Sequence, residues 1–151
     1  MSETLEQIRS ELKEAQKAQD SFKVGTLRYI LSAIHNAEIE KGKGETLTEE
    51  ELVTILQKQA KQRRESIEAY EKGGRADLAE KEQKELGIIE SYLPEQMGEE
   101  EITKLVEEAI SVTGASSPQD MAKVMGVLMP KIKGKADGSL VSRLVKENLS
   151  V

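Results

Sequence analysis

The stretch Leu93-Pro94-Glu95-Gln96 divides the sequence into two sets of amphipathic helices. Proline drives the residue before it out of helical geometry, so Pro94 ends the helix that precedes it. A short polar segment that carries a proline between two helical sets is typical of a hinge between domains. The sequence therefore predicts an N-terminal helical domain over residues 1–94 and a C-terminal domain over residues 95–151.

Before this hinge, apolar residues recur at spacings of three and four, which is the period of a helix with one buried face. Thr4 with Gln7, and Thr48 with Glu51, have the spacing of capping boxes. Glycine-rich stretches and Pro94 end the segments between them. Four helices are predicted, over residues 3–19, from 20 or 21 to about 41, from 48 to about 72, and from 75 to the hinge.

After the hinge, the same period predicts three shorter helices. The first covers residues 99–112, the second begins at Ser117-Pro118, meets Pro130 and stops by Gly134, and the third is capped by Asp137. No segment alternates with the period of two that marks a strand. The predicted fold is all-α, with an N-terminal helical domain of about four helices followed by a small three-helix bundle.

The composition excludes several classes of protein. The chain has no Cys, so a disulfide framework and a thiolate metal site are excluded and a reducing compartment is expected. The first residues lack the basic and apolar blocks of a signal peptide, and the longest apolar run is far below the ~20 residues that cross a bilayer. We therefore predict a cytoplasmic protein with no membrane partner.

Residues for self-sufficient catalysis are scarce. His35 is the only His and has no second His or Cys with which to hold zinc. No Ser lies in a Gly-x-Ser-x-Gly turn, and the acidic runs 49–51 and 99–101 lie in first helical turns, where acids favourably meet the helix dipole. We predict no catalytic residues, no metal and no cofactor, and at most an accessory part in an enzymatic reaction.

Charge is unevenly distributed along the chain. The net charge of −6 argues against a general nucleic-acid coat, because non-specific binding is driven by neutralisation of phosphates. Residues 95–120 contain seven acidic residues and one lysine, a net charge of −6, whereas residues 121–151 contain six basic and two acidic residues, a net charge of +4. The chain is therefore predicted to end in a basic module.

Five basic residues of this module form the first predicted RNA-binding group. Lys131, Lys133 and Lys135 alternate through a predicted loop, and Arg143 and Lys146 project from the helix that follows it. Alternation in a loop places several ammonium groups around one turn, and loops on a rigid bundle often carry recognition. Contact with phosphates and a merely solvated loop are both open interpretations.

A second basic group lies on the third helix. Lys61, Arg63 and Arg64 are predicted as a further RNA contact, although ion pairs within the helix, with Glu65 and Glu68 as neighbours, also explain them.

Three methionines in the basic module also have two interpretations. Met121, Met125 and Met129 recur every fourth residue, which indicates either a core stripe or an adaptable docking surface.

Several ordered stretches resemble the YqeY-like family. They are Thr26-Leu27-Arg28 through Asn36-Ala37-Glu38-Ile39, Lys61-Gln62-Arg63-Arg64-Glu65-Ser66, Gly74-Arg75 with Asp77-Leu78-Ala79, Tyr92-Leu93-Pro94-Glu95-Gln96, and Lys123-Val124-Met125 with Lys133-Gly134-Lys135-Ala136-Asp137-Gly138. Each piece alone is a weak signal, but together they cover nearly the whole chain in order and without a large gap.

The resemblance implies a role in holding RNA. The family is similar to the C-terminal tail of the B subunit of the glutamine-dependent aspartyl/glutamyl-tRNA amidotransferase, a carbon-nitrogen ligase that converts misacylated tRNA to the amide form. In that enzyme the tail is a helical appendage that helps to hold the tRNA, and the chemistry belongs to other domains and subunits. The implied partners are tRNA and the amidotransferase or another protein, in a protein of bacterial type.

The leading hypothesis is therefore a tRNA-associated accessory protein. The alternative is a helical adaptor between proteins, with no RNA role. A partner that stays bound after nuclease treatment and through high salt would favour the adaptor, since apolar docking tolerates salt and phosphate contacts do not.

Overall fold

The computed structural model describes residues 2–149, and every regular element within them is helical. Met1, Ser150 and Val151, which the predicted domain ranges include, lie outside the described residues. The described part contains no strand, so the all-α prediction is confirmed. The helices are α1 (Glu3–Lys17), α2 (Ser21–Lys41), α3 (Glu49–Lys72), α4 (Ala76–Glu90), α5 (Glu99–Thr113), α6 (Met121–Ile132) and α7 (Gly138–Leu149), with a 3-10 turn at Pro118–Asp120.

The chain divides into two compact units, Met1–Leu93 and Pro94–Val151, named unit 1 and unit 2 below. Unit 1 contains α1 to α4, and unit 2 contains α5 to α7. None of the described helices is both long and apolar enough to span a membrane.

Unit 1 is held together by apolar side chains at helical spacing. Burying a Leu or Ile side chain contributes about 1.5–3 kcal/mol relative to leaving it exposed. Tyr92 and Leu93 follow the last residue of α4 and are buried with this core. Fully buried members of the core are Ile8, Leu27, Ile30, Ile34, Leu52, Leu56 and Ile89.

The first helix is capped by Ser2, so the predicted capping box of Thr4 and Gln7 is wrong. The Ser2 side chain accepts a hydrogen bond of 3.2 Å from the Leu5 N–H. Thr4 lies inside the first turn, and its hydroxyl donates to the Glu49 carboxylate, as the Ser2 hydroxyl also does. The spacing near Thr4 could not show this contact, because Glu49 lies far along the chain at the start of α3.

The capping box of α3 is confirmed. The Glu51 N–H donates to the Thr48 hydroxyl oxygen at 3.1 Å, and the Thr48 N–H donates to the Glu51 carboxylate at 2.7 Å. Leu47 and Leu52, on either side of this cap, are both buried in the core of unit 1. A local pattern was sufficient here because all the contacts of the cap lie within four residues.

Unit 2 has a separate apolar core. Its members come from all three helices: Ile102, Val106 and Ala109 of α5, Val124, Leu128 and Ile132 of α6, and Val141, Leu144, Val145 and Leu149 of α7. Gly114 ends α5 in the left-handed region, at φ 68°, where a residue without Cβ meets no steric penalty.

Two predictions about α6 are corrected by the structure. Ser117 makes no side-chain cap, and a 3-10 turn precedes the α-helix. α6 continues past Pro130 to Ile132 and so ends before Gly134, as predicted, but residues 130–132, which were predicted to lie in the loop, are helical. Proline removes only the hydrogen bond to the carbonyl of Gly126, an exposed residue whose carbonyl water can reach, and the Lys133 N–H resumes the pattern by donating to the Met129 carbonyl at 2.9 Å. Lys131 therefore lies in the last turn of α6 and not in the loop.

Candidate nucleic-acid interface

Lys131, Lys133 and Lys135 form an outward-facing group at the end of α6. All three are exposed, whereas Ile132 and Gly134 between them are buried. The alternation seen in the sequence therefore has a physical basis, because the buried residues between the lysines turn toward the core of unit 2. We name these three residues the lysine turn.

The backbone of the lysine turn is held in place by four hydrogen bonds. The N–H groups of Lys133 and Lys135 donate to carbonyls of α6 at 2.9 and 2.8 Å. The Met97 N–H donates to the Lys135 carbonyl at 2.8 Å, and the Gln96 side-chain amide donates to the Gly134 carbonyl at 2.9 Å. Gly134 adopts φ 79°, which brings the chain around without steric cost. The predicted loop is thus a turn whose backbone is held by hydrogen bonds.

The two basic residues of α7 are both exposed. The Arg143 guanidinium lies 3.6 Å from the Glu99 carboxylate and 3.7 Å from that of Glu147, with all three side chains more than half exposed. Exposed pairs at such distances are weak, about 0–1 kcal/mol, so a phosphate could replace either carboxylate. Lys146 lies one turn farther along α7 and is exposed.

The second predicted RNA-binding group lies on α3, and its member Arg63 forms ion pairs within unit 1. Arg63 Nη1 lies 2.9 Å from Glu85 and 3.2 Å from Glu82, and all three side chains are less than a fifth exposed. The Arg63 guanidinium also lies over the Tyr29 ring, 5.0 Å from its centroid, where cation–π attraction favours it.

The other two members of this group lie at the surface of α3 or close to it. Arg64 Nη2 lies 3.0 Å from the Glu90 carboxylate, with both side chains 39% exposed, and Lys61 is half-buried. The carboxylates that pair with Arg63 and Arg64 belong to α4, whereas the sequence offered Glu65 and Glu68 of α3 as partners. Glu82 and Glu85, spaced one turn apart, were the signal in the sequence for this arrangement.

An open cavity of about 410 Å³ in unit 1 lies beside Arg63. Its walls include Tyr29, Lys81, Glu82 and Glu85, so it carries two positive and two negative charges when Arg63 is counted. This balance gives the cavity no preference for an anion such as phosphate. The arrangement stabilises the contact between α3 and α4.

A further polar contact of unit 1 joins its first and last helical segments. The Tyr92 hydroxyl donates to the Glu11 carboxylate. Burial and this hydrogen bond raise the pKa of Tyr92 above its usual value. Burial alone would raise the pKa of Glu11, but hydrogen bonds from Tyr92 and Gln7 and the charge of Lys23 lower it overall.

His35 and the three methionines occupy ordinary positions. His35 is exposed, 3.9 Å from Glu38, and among residues 2–149 no three His, Cys, Asp or Glu side chains are grouped to hold a metal ion. Met121 and Met125 pack against the core of unit 2, and Met129 is 36% exposed. Two of the three methionines thus act as a core stripe.

The comparisons with known proteins agree on one family. The family described as Yqey-like protein matches residues 5–149. Altered inheritance of mitochondria protein 41 of Pyrenophora tritici-repentis is 34% identical over 146 residues, which cover 95% of this chain and 79% of that protein. The proteins of the same name from Lachancea thermotolerans and Saccharomyces cerevisiae are 40% and 38% identical over 86 residues, 57% of this chain and 46% of each relative. The match thus spans about half the length of these yeast relatives.

The prediction of a cytoplasmic location is wrong in the light of these relatives, whose names describe mitochondrial proteins. The inference failed because the absence of Cys indicates a reducing environment, which more than one compartment provides. The relatives are fungal, so they do not support the expectation of a bacterial-type protein.

Proposed function

This chain belongs to the Yqey-like protein family, as its motifs predicted, and on that premise we propose that it is a tRNA-associated accessory protein. Unit 2 contacts phosphates of the RNA through Lys131, Lys133 and Lys135, assisted by Arg143 and Lys146. The role is to hold the RNA, and any amide-forming step belongs to other proteins, as the similarity to the amidotransferase tail implies.

The observation that carries the proposal is the lysine turn. Three exposed ammonium groups stand on a backbone that four hydrogen bonds hold to unit 2. Because the backbone positions of the three lysines are fixed, they favour a ligand whose negative charges are regularly spaced, such as the phosphates of a folded RNA. The turn lies in residues 121–151, which carry a net charge of +4, whereas unit 2 as a whole has nine acidic and seven basic residues, a net charge of −2, so the attraction for phosphates is local to the turn.

Lys61, Arg63 and Arg64 stay a prediction as a second contact. A phosphate that reached Arg63 would have to replace two carboxylates in a mostly buried site, which costs more than binding to an exposed lysine. The proposal therefore rests on unit 2.

We also propose that the two compact units are domains that fold independently, over residues 1–94 and 95–151. Their separate apolar cores support this proposal.

Fluorescence anisotropy of labelled tRNA across a salt series tests the RNA proposal. The variant replaces Lys131, Lys133 and Lys135 by Glu. A matched control replaces Lys13, Lys43 and Lys84, three exposed lysines of unit 1, by Glu and so changes the net charge equally. The lysine-turn variant is expected to bind at least about tenfold more weakly, and the slope of log affinity against log salt should fall by about 2–3. The control should keep most of its affinity.

Two results would contradict the proposal. If the wild-type chain binds no tRNA even at low salt, the adaptor interpretation without an RNA role becomes the better one. If both variants lose the same affinity, the effect reflects net charge alone, and the lysine turn has no special role.

A further inference from the structure

One lateral face of α5 alternates acidic and apolar residues along its length. Glu101, Leu105, Glu108 and Val112 fall within about 60° of the helix circumference at 100° per residue. The two glutamates are exposed, Leu105 is half-buried, and the Val112 side chain is 75% exposed although it is apolar. The core-facing residues of α5, such as Ile102 and Val106, lie on a different side. Leu105 packs in part against the core of unit 2, so its exposed part together with Glu101, Glu108 and Val112 forms the free surface of this face.

A groove lies along this face between Met97 and Glu108, and Val112 lies one turn beyond its lining. It has a volume of about 580 Å³, and Met97 and Leu105 supply its apolar surface. Glu101, Glu107, Glu108 and Lys104 supply its polar rim, with a local charge of three acids against one base. Within residues 2–149, the structure pairs none of these three glutamates with a cation.

Helix capping does not account for all of this charge. Glu101 lies in the first turn of α5, where the positive end of the helix dipole favours an acid. Glu107 and Glu108 lie beyond the first turn, so the helix dipole does not stabilise them. Capping therefore explains Glu101 and not the other two glutamates.

We propose that this groove docks a basic amphipathic helix of a partner protein. Apolar residues of that helix would cover Met97, Leu105 and Val112, and lysine or arginine residues beside them would face Glu101 and Glu108, which is the helix-in-groove mode of recognition. The stretch from Glu101 to Val112 is about 16 Å long, which matches about three helical turns. The groove adjoins the lysine turn at Met97, whose N–H donates to the Lys135 carbonyl, and its negative rim disfavours RNA on this face of α5.

Anisotropy with a defined probe tests the inference on the full chain. The probe is a fluorescein-labelled peptide of about 18 residues, long enough to be helical, with Leu and Lys at helical spacing. A peptide of the same composition in scrambled order and a peptide with Glu in place of Lys are the comparisons. The groove is expected to bind the first peptide at least about tenfold more tightly than either comparison.

Two variants on this face, named the groove variants, test separately the negative charge of the groove and the apolar surface beside it. Glu101→Gln with Glu108→Gln should weaken binding about tenfold, because two ion pairs are lost. Val112→Thr, which keeps the shape and adds a hydroxyl, should weaken it about threefold. The control is Glu71→Gln with Glu80→Gln in unit 1, which changes net charge equally at exposed positions and should leave binding unchanged.

Three outcomes would overturn the inference. Equal binding of the scrambled peptide, or equal loss in the control, would mean attraction by net charge alone. Unchanged binding by the groove variants would place the peptide elsewhere. A wild-type chain that self-associates in sedimentation, and groove variants that do not, would make a second copy of this chain the occupant. The lysine-turn variant should still bind the peptide, so failure of the RNA proposal can be told apart from failure of this one.

Discussion

The guanidinium of Arg63, a residue of α3, contacts two carboxylates of α4 and lies over an aromatic ring of α2. Glu82 and Glu85 are one turn apart on α4, and without the guanidinium they would face each other in a site less than a fifth exposed. Removing one partner of a buried ion pair destabilises the fold, because the remaining charge is desolvated and has no opposite charge beside it. Arg63 is therefore better explained as a residue that joins two helices than as an RNA contact.

Arg63→Met, which removes the charge and keeps much of the apolar stem, should destabilise the chain by about 2–3 kcal/mol. Urea unfolding followed by circular dichroism measures this loss. The control Lys58→Met, at an exposed position of the same helix, should change stability by less than about 0.5 kcal/mol. Adding Glu82→Gln and Glu85→Gln to Arg63→Met should restore part of the loss. Full stability of Arg63→Met together with weakened tRNA binding would instead make Arg63 an RNA contact.

At the scale of elements, Glu49 joins the starts of two helices. Its carboxylate accepts hydrogen bonds from the hydroxyls of Ser2 and Thr4, at the start of α1, while it stands in the first turn of α3. These two hydrogen bonds lower the pKa of Glu49 below its ordinary value of 4.5. The carboxylate therefore stabilises the fold above pH 4.5, and this contribution is lost as pH falls through the lower pKa of the folded chain.

Glu49→Gln should cost about 1 kcal/mol at neutral pH, because an ionised acceptor is replaced by a neutral one at a largely exposed site. Thermal unfolding at neutral pH and at about pH 3 measures the effect. The difference from the wild-type chain should shrink at the acidic pH, because there the Glu49 carboxylate of the unfolded chain is protonated and the contribution of the lowered pKa is reduced. Glu3→Gln, in the first turn of α1, is the control. A loss of equal size at both pH values would show that the charge of Glu49 is not involved.

These elements also show how far the sequence could predict the structure. The α3 cap was predictable because Thr48 and Glu51 satisfy each other locally, and the exposure of the three lysines was predictable from their alternation with Ile132 and Gly134. The partners of Thr4 and Arg63 were not, because each lies on another helix and only tertiary packing selects it. The helical position of Lys131 was missed because the loop was predicted to begin at Pro130, whereas proline costs little near the end of a helix.

At the scale of the whole molecule, the two units offer separate spectroscopic reporters. All three tyrosines of the chain, Tyr29, Tyr70 and Tyr92, lie in unit 1, and the chain has no Trp. Tyrosine fluorescence therefore reports the unfolding of unit 1, whereas circular dichroism reports the helices of both units.

If the units fold independently, a stabilising change in one should leave the other unaffected. Gly87 in α4 and Gly126 in α6 are exposed helical positions where an added Cβ meets nothing within 4 Å, so Gly→Ala at either should add about 0.5–1 kcal/mol. In urea unfolding, Gly126→Ala should shift the circular dichroism transition and not the fluorescence transition, while Gly87→Ala should shift both. A fluorescence shift of equal size in Gly126→Ala would mean that the chain unfolds as one cooperative whole.

The hydrogen bonds that hold the lysine turn affect the entropy of any association in which it takes part. Ordering the backbone of one residue costs about 1–2 kcal/mol of conformational entropy, so ordering the five residues 133–137 costs about 5–10 kcal/mol. This cost is part of folding and does not have to be met again on binding. A ligand that binds there needs to order only the lysine side chains, at about 0.5–1.5 kcal/mol each. The backbone of the turn is therefore preorganised, and its selectivity should come from the match between the fixed backbone positions of the lysines and the spacing of charges on the ligand.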